Sequence, residues 1–401
     1  MKAKPIVFAV RELSVSTLRR YAAIAAYLHE KHGFSIIYFD VHYCGEATLA
    51  KSIKEATEYY SVKPIPYQYF RVGEYIEAPK TMEPKEPPEG RQECLTVKYF
   101  LEEEFSSAFL QVEKYYRAIN EFFKLHTPAL VLFDIPTVLS INTLVDVANK
   151  HSVNTVSLEH AEGIGDLYSH LPAIAQYYIS YGKMNFQNLL KMGVPKERII
   201  HSGSVETDFM HIVNEKGATA PELRSRSLLI ALKKNGLPTA LQANINLIKQ
   251  VKEKFPSFTL HVKPHPVDKS LPPMLSGLIE QNDTRISLID AEEPFSISLE
   301  RVGLLISYSS YALVESVLMG KKTICISGIQ DELYPQWHQF GIHVTESPVT
   351  LSEKNLSSYQ PSIKQQSATT EYFRYSSDNL NVTRICNALV DIITNDEALF
   401  E

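Results

Sequence analysis

The residues best placed to do chemistry stand in the stretch TLHVKPHPVD, Thr259–Asp268. An apolar strand, Leu260 to Val262, runs into Pro264 and Pro266, which lack a ladder donor and push Lys263 and His265 toward extended geometry. The strand end is therefore stiff and presents a cation and a titratable imidazole. In an open α/β sheet ligands bind outside the carboxyl ends of strands, so Lys263 and His265 suit an anionic, phosphorylated ligand. A turn with solvated polar residues is the plain alternative.

A second stretch, GLLISYSSYALVESVLMGKKTICIS at Gly303–Ser327, carries the complementary groups. Leu304–Ile306 reads as a buried strand, Ser309 or Ser310 as an N-cap, Tyr311–Met319 as a helix stopped by Gly320, and Thr323–Ile326 as the next strand. Two hydroxyls and the free amides of a helix start make an anion cradle without a basic residue. Leu313, Val314, Val317 and Leu318 form the face toward the sheet, which turns Glu315 the other way. A carboxylate there repels phosphate but accepts hydrogen bonds from ribose hydroxyls. Gly236, in an earlier strand-to-helix turn, would let backbone approach a phosphate. In the amino-terminal half, the strand Val153–Glu159 exits into His160-Ala161-Glu162-Gly163-Ile164-Gly165-Asp166, a carboxylate-dense turn with glycines. Those acids are either chemical or merely solvated.

KPHP at Lys263–Pro266 followed by SYSSYALVESVLMGKK at Ser307–Lys322 resembles the carboxy-terminal half of bacterial GT-B glycosyltransferases of capsule, O-antigen and lipooligosaccharide synthesis. Within that group, a His-Pro motif plus a Ser-Ser motif is similar to enzymes that use CMP-activated sialic acid or Kdo. Glu162-Gly163 partly resembles the motif from which sialyltransferases recruit a general base. The family pair is two adjacent acids whereas Ala161 precedes Glu162 here, so Glu159 and Glu162 both stay candidates. The resemblance implies two Rossmann-like α/β domains facing each other across a cleft. It covers about sixty residues specifically; related motifs occur in CDP-glycerol phosphotransferases and in non-hydrolysing UDP-sugar epimerases.

Composition sets the outer bounds. A chain of 401 residues is ordinary for two domains, and 44% apolar with 21% charged residues is globular. A formal charge of -6 argues against a nucleic-acid partner. No apolar run approaches a membrane span, and the first residues are too short for a signal peptide, so a cytoplasmic protein, at most peripheral at the membrane, is expected. Cys44, Cys94, Cys325 and Cys386 have no CxxC spacing and read as free thiols.

The elements that position these groups follow from periodicity. Pro5–Val10, Phe34–Asp40 and Tyr67–Val72 read as strands, with helices at Ser14–Lys31 and Ala47–Tyr60. The first turn, Arg11–Ser16, has no glycine, which disfavours a dinucleotide cofactor. Glu77–Gln92 reads as an exposed loop able to close over an acceptor, and Phe100–His126 as a long helix whose aromatics form core or an acceptor groove. Strands at Ala129–Asp134, Val153–Glu159, Ala175–Gly182 and Arg198–Gly203 complete a first, acceptor-binding domain, 1–204. A linker over 205–226 leads to a nucleotide-sugar domain, 227–380, and a final helix in 381–401 that crosses back to the first domain. An aromatic loop with Tyr334, Trp337 and His338 either stacks on a sugar or anchors the second domain.

The resemblance assigns His265 to the leaving phosphate as donor or general acid, Lys263 to its support, Ser309 and Ser310 to the cradle, and Glu162 or Glu159 to the acceptor hydroxyl as base. Positive or donor groups fixed there lower the barrier because charge builds on that phosphate in the transition state. No DxD motif is present, so neither metal nor cofactor is implied; the partners are a nucleotide-sugar donor, CMP-linked, and a glycan acceptor. The rival readings are a CDP-glycerol-type phosphotransferase, a silent nucleotide-sugar binder, and a UDP-GlcNAc 2-epimerase-like enzyme, which would need paired acids in both domains.

Overall fold

The structure is a computed structural model that describes residues 4–10, 15–41, 45–75, 95–134, 138–159, 173–209, 225–234, 238–266, 268, 272–279, 284–291, 293–308, 311–326, 337–346, 356, 359–374 and 378–397. The first part of the chain alternates β1 (Ile6–Val10), α1 (Val15–His32), β2 (Ile36–Asp40), α2 (Glu46–Tyr60), β3 (Tyr67–Arg71), α3 (Leu95–His126), β4 (Leu130–Phe133), α4 (Leu139–Lys150), β5 (Asn154–Leu158), β6 (Tyr177–Ser180), α5 (Lys183–Lys191) and β7 (Ile199–His201). These strands form one sheet in the order β3-β2-β1-β4-β5-β6-β7, parallel from β3 through β6. Every residue of β1, β2, β4 and β5 is buried, as a parallel sheet covered on both faces requires.

The second part runs β8 (Ser227–Ala231), α6 (Pro238–Lys254), β9 (Thr259–Lys263), α7 (Pro273–Ile279), β10 (Ile286–Leu288), α8 (Phe295–Glu300), β11 (Leu304–Tyr308), α9 (Ala312–Leu318), β12 (Lys322–Ile326), β13 (His343–Thr345), α10 (Ile363–Thr369) and α11 (Asn381–Glu397). Its sheet is wholly parallel, in the order β10-β9-β8-β11-β12-β13. The two-residue period of a strand splits β8 between two cores: Leu228 and Ile230 pack with Val262 and Ile248, while Leu229 and Ala231 pack with Leu305 and Val317. Both sheets therefore double back beside a first strand, between β1 and β4 and between β8 and β11. Those are the switch points at whose carboxyl ends open α/β sheets bind ligands.

By packing, the chain forms two compact units: the described residues up to Glu159, 173–179 and 386–397 make one, and those within 180–385 the other. By hydrogen bonding the first sheet extends to β7, so the division falls inside β6. Of the expected linker, 205–209 are helical and 210–224 lie outside the described residues, as does the loop Glu77–Gln92. No described helix is long and apolar enough to cross a membrane.

Toward its carboxyl end the aromatic helix α3 faces the core with three of its rings, while Tyr116 stays part-buried. Tyr115, Phe122 and Phe123 are buried, and Phe122 stacks on Phe39 at 4.1 Å between ring centres. β13, α10 and the wide π-turn Thr370–Arg374 that continues α10 were not expected from sequence. A polar run, IKQQSAT, shows no apolar period, yet Ser362 opens it with a capping box in which its hydroxyl accepts from the Gln365 amide at 3.2 Å. That Ser-x-x-Gln spacing was the available signal.

Two glycines let this turn settle. A Cβ on Gly182 would overlap the carbonyl carbon of Phe373 and lie 2.5 Å from Tyr372 O; one on Gly203, at φ 86°, would overlap Asn381 and approach Arg374 O to 2.9 Å. Backbone cannot swing away as a side chain can. Gly182→Ala is expected to cost about 2–3 kcal/mol or more, by overpacking against backbone. Urea unfolding checks this, and a loss below about 0.5 kcal/mol, the range of ordinary surface changes, would contradict it.

Candidate functional site

Each unit carries a cluster of polar side chains at its switch point. In the first, Asp134 directly follows β4 and Glu159 directly follows β5, on neighbouring parallel strands. Both are nearly buried, at 5% and 3% exposure. Buried charged groups need partners. The Thr17 hydroxyl donates to Asp134 Oδ2 at 2.9 Å and itself accepts from Arg20 Nη2 at 3.1 Å. Arg20, 1% exposed, also donates from Nη1 to the main-chain carbonyl of Glu159 at 2.8 Å, a bond that does not involve the Glu159 carboxylate. One turn of α1 thus holds the ends of β4 and β5. Asp134 escaped the sequence reading as a functional candidate because only the sheet order sets it at the switch point. Glu162, the other candidate base, lies outside the described residues.

In the second unit His265 is half-buried two residues past β9, where its carbonyl accepts from the Asp268 amide at 2.8 Å. Burial pulls its pKa below the ordinary histidine value; Asp268 opposes that shift and Lys234 adds to it. A neutral imidazole at pH 7 can accept or donate one proton. Lys263 is 3% exposed, and its Nζ donates to the carbonyls of Glu293 at 2.7 Å, Asp290 at 2.8 Å and Ala291 at 3.4 Å. The ammonium expected beside a phosphate therefore ties β9 to the loop after β10. Closer to the switch point stands a cation that sequence reading did not single out: Lys233, just past β8, places Nζ 4.6 Å from the ring centre of Tyr308 at the end of β11. Asn244 fixes that turn by donating to Lys233 O at 2.8 Å and accepting from its amide at 3.0 Å. Ser309, Ser310 and Gly236 lie outside the described residues.

Glu315 stands in the first turn of α9, with Leu313, Val314 and Val317 buried against the sheet as the periodicity requires. Its carboxylate lies 3.7 Å from Arg374, whose side chain is wholly buried. Arg374 also faces Glu206 at 3.8 Å, bonds the Ser204 hydroxyl, and lies 4.5 Å over the Tyr311 ring. Two carboxylates therefore share one guanidinium. Trp337 is buried, its ring stacked with Phe373 at 6.2 Å, so it anchors the second unit.

No family model matches the chain, and no curated protein matches it in sequence. Solved structures do. A UDP-N-acetylglucosamine 2-epimerase structure from Listeria monocytogenes, described as putative, aligns at TM-score 0.62 and 15% identity over 97% of this chain and 96% of that one. The UDP-GlcNAc 2-epimerase of Neisseria meningitidis bound to UDP-GlcNAc aligns at 0.62 and 13%, over 96% and 100%. A glycosyltransferase of Rickettsia africae aligns at 0.57 and 11%, over 98% and 100%. At such identities the likeness is one of fold, and on that ground the chain has the GT-B-like fold of two Rossmann-like α/β units that UDP-GlcNAc 2-epimerases share.

Proposed function

We propose that this protein is an enzyme acting on a nucleotide sugar, and that its reaction is the epimerase-like one: inversion at carbon 2 of a UDP-linked N-acetylhexosamine. The observation that carries the reading is the pair of buried acids, Asp134 and Glu159, at the ends of adjacent strands of the first unit. Inversion at C2 needs one group to take the C2 proton, the C2–H electron pair forming a C1=C2 bond while the C1–O bond to UDP breaks. Another group must return a proton from the opposite face as the C1–O bond re-forms. Two carboxyl groups in different protonation states fill those roles. Transfer to an acceptor hydroxyl needs one base and an acceptor groove, whereas Tyr115, Phe122 and Phe123 of α3, three of the aromatics that could line such a groove, are core. The paired acids expected of an epimerase in the second unit have a counterpart in Glu206 and Glu315 around Arg374. Lys233, Lys234 and His265 supply positive charge and a proton at the carboxyl ends of β8 and β9 for a diphosphate. The structural relatives named as binding UDP-GlcNAc support the same substrate class.

Transfer of a CMP-linked ulosonic acid onto a surface glycan, which the His-Pro and Ser-Ser motifs resemble, is the second reading. One assay separates them. Incubation with UDP-GlcNAc in D2O should place deuterium at C2 and yield the 2-epimer. Recovery of unlabelled UDP-GlcNAc, with CMP released from CMP-Kdo or CMP-sialic acid in the presence of a glycan acceptor, would overturn the epimerase reading in favour of transfer.

A further inference from the structure

The second sheet has an end that catalysis on a nucleotide sugar does not use. A cavity of about 270 Å3 lies at the amino ends of β8, β11 and β12, with Ser225 ahead of β8, Leu304 at the start of β11 and Lys322 at the start of β12 in its wall. β8 and β11 are each five residues long, so about 16 Å of strand separates the cavity from the switch point at their carboxyl ends. The body of the sheet stands between the two places.

Its lining has two natures. Phe258, Leu304 and Leu356 are buried and belong to the same apolar cluster as Leu228 and Ile230 of β8. Beside them stand Lys321 and Lys322, both half-buried, and no acid joins them among the described lining residues. The chain as a whole carries a formal charge of -6, so two adjacent cations here reverse its sign locally and attract an anion. The main chain around the cavity is already engaged: Gly303 donates to Ser227 O at 3.1 Å and accepts from the Lys322 amide at 3.2 Å. The Lys321 carbonyl accepts from the Thr323 hydroxyl at 3.0 Å, and the Gly320 carbonyl from Gln360 Nε2 at 2.7 Å. These bonds fix the walls and leave recognition to apolar contact and lysine charge. The volume falls just below the roughly 300–1,000 Å3 of sites for drug-sized ligands and equals about nine waters, so the occupant is small.

We propose that this cavity is a second ligand site, for a compact organic anion whose apolar body packs on Phe258, Leu304 and Leu356 and whose carboxylate or phosphate head meets Lys321 and Lys322. The inference stands apart from the reaction at the switch point. It holds whichever nucleotide sugar the enzyme uses.

The test is calorimetric titration of the full chain with phenylacetate and with phenyl phosphate, in excess UDP to occupy the switch point. At least one of the two should bind with a Kd on the order of 1 mM or tighter, the reach of a ligand this small, and the tighter one names the head group. Benzyl alcohol, a body without a charged head, and inorganic phosphate, a head without a body, should each bind at least about tenfold more weakly. Lys321→Met combined with Lys322→Met keeps the aliphatic stems, removes both charges and should weaken the better probe at least about tenfold. Ser225→Trp, at an exposed position of the wall, should weaken it as much by filling the space with both lysines in place. Neither probe binding, inorganic phosphate binding as well as the better probe, or an unchanged Kd in either folded variant would overturn the proposal. The variants decide the outcome whether or not UDP binds, so a failed epimerase reading leaves the test intact.

Discussion

Asp134→Asn is expected to lower turnover of UDP-GlcNAc, and deuterium entry at C2 with it, by about 10²- to 10⁴-fold, the usual contribution of a positioned general acid or base. Asparagine keeps the size of the side chain and an oxygen to accept from the Thr17 hydroxyl, now 2.9 Å from Oδ2. The fold should therefore hold, with melting shifted by a few degrees at most, and the loss should fall on kcat with KM little changed. Thr17→Val tests the support of the same acid: it removes the donor that Arg20 holds at 3.1 Å. It should lower kcat by less than Asp134→Asn does, because it misplaces the acid without deleting it. Exchange by Asp134→Asn within about threefold of wild type, far below any general acid–base contribution, would remove Asp134 from the reaction.

Lys263→Met is expected to destabilise the protein by about 3 kcal/mol or more, with the loss read from the midpoint of urea unfolding at constant slope. Methionine keeps most of the aliphatic stem but removes the ammonium from the carbonyls of Asp290, Ala291 and Glu293, of which that of Asp290 still accepts from the Glu293 amide at 3.2 Å. Losing a charged donor costs a part-buried carbonyl about 1–3 kcal/mol, and the loss at Ala291 and Glu293 sets the magnitude. The effect should spread to the loop after β10, seen as faster amide exchange there. His265→Ala, two residues along the same strand exit, should cost far less stability because the imidazole is half-buried and outside the strand. A Lys263→Met loss below about 1 kcal/mol, less than one orphaned carbonyl should cost, would show that water replaces the ammonium and that the lysine is not structural.

Lys233, just past β8, and Lys263, the last residue of β9, show where sequence reasoning reaches and stops. KPHP identified a stiff strand end, and β9 does end at Lys263 with His265 beyond it. Which side chain faces a ligand was not in the motif. Lys263 turns to backbone carbonyls 27 to 30 residues away in sequence, a contact no local pattern encodes. Lys233, in a turn without any motif, reaches the Tyr308 ring because β8 and β11 are neighbours.

Local physics determined most elements of this protein. Apolar runs of four to six residues bounded by turns gave the strands, 3.6-residue spacing gave α1, α6 and α9, and both patterns depend only on neighbours along the chain. Sheet order, burial of polar groups and the meeting of Arg374 with Glu206 and Glu315 were decided by tertiary structure alone. Those contacts span 168 and 59 positions (374 − 206 and 374 − 315), and they form because a desolvated charge must find its partner wherever the fold brings one.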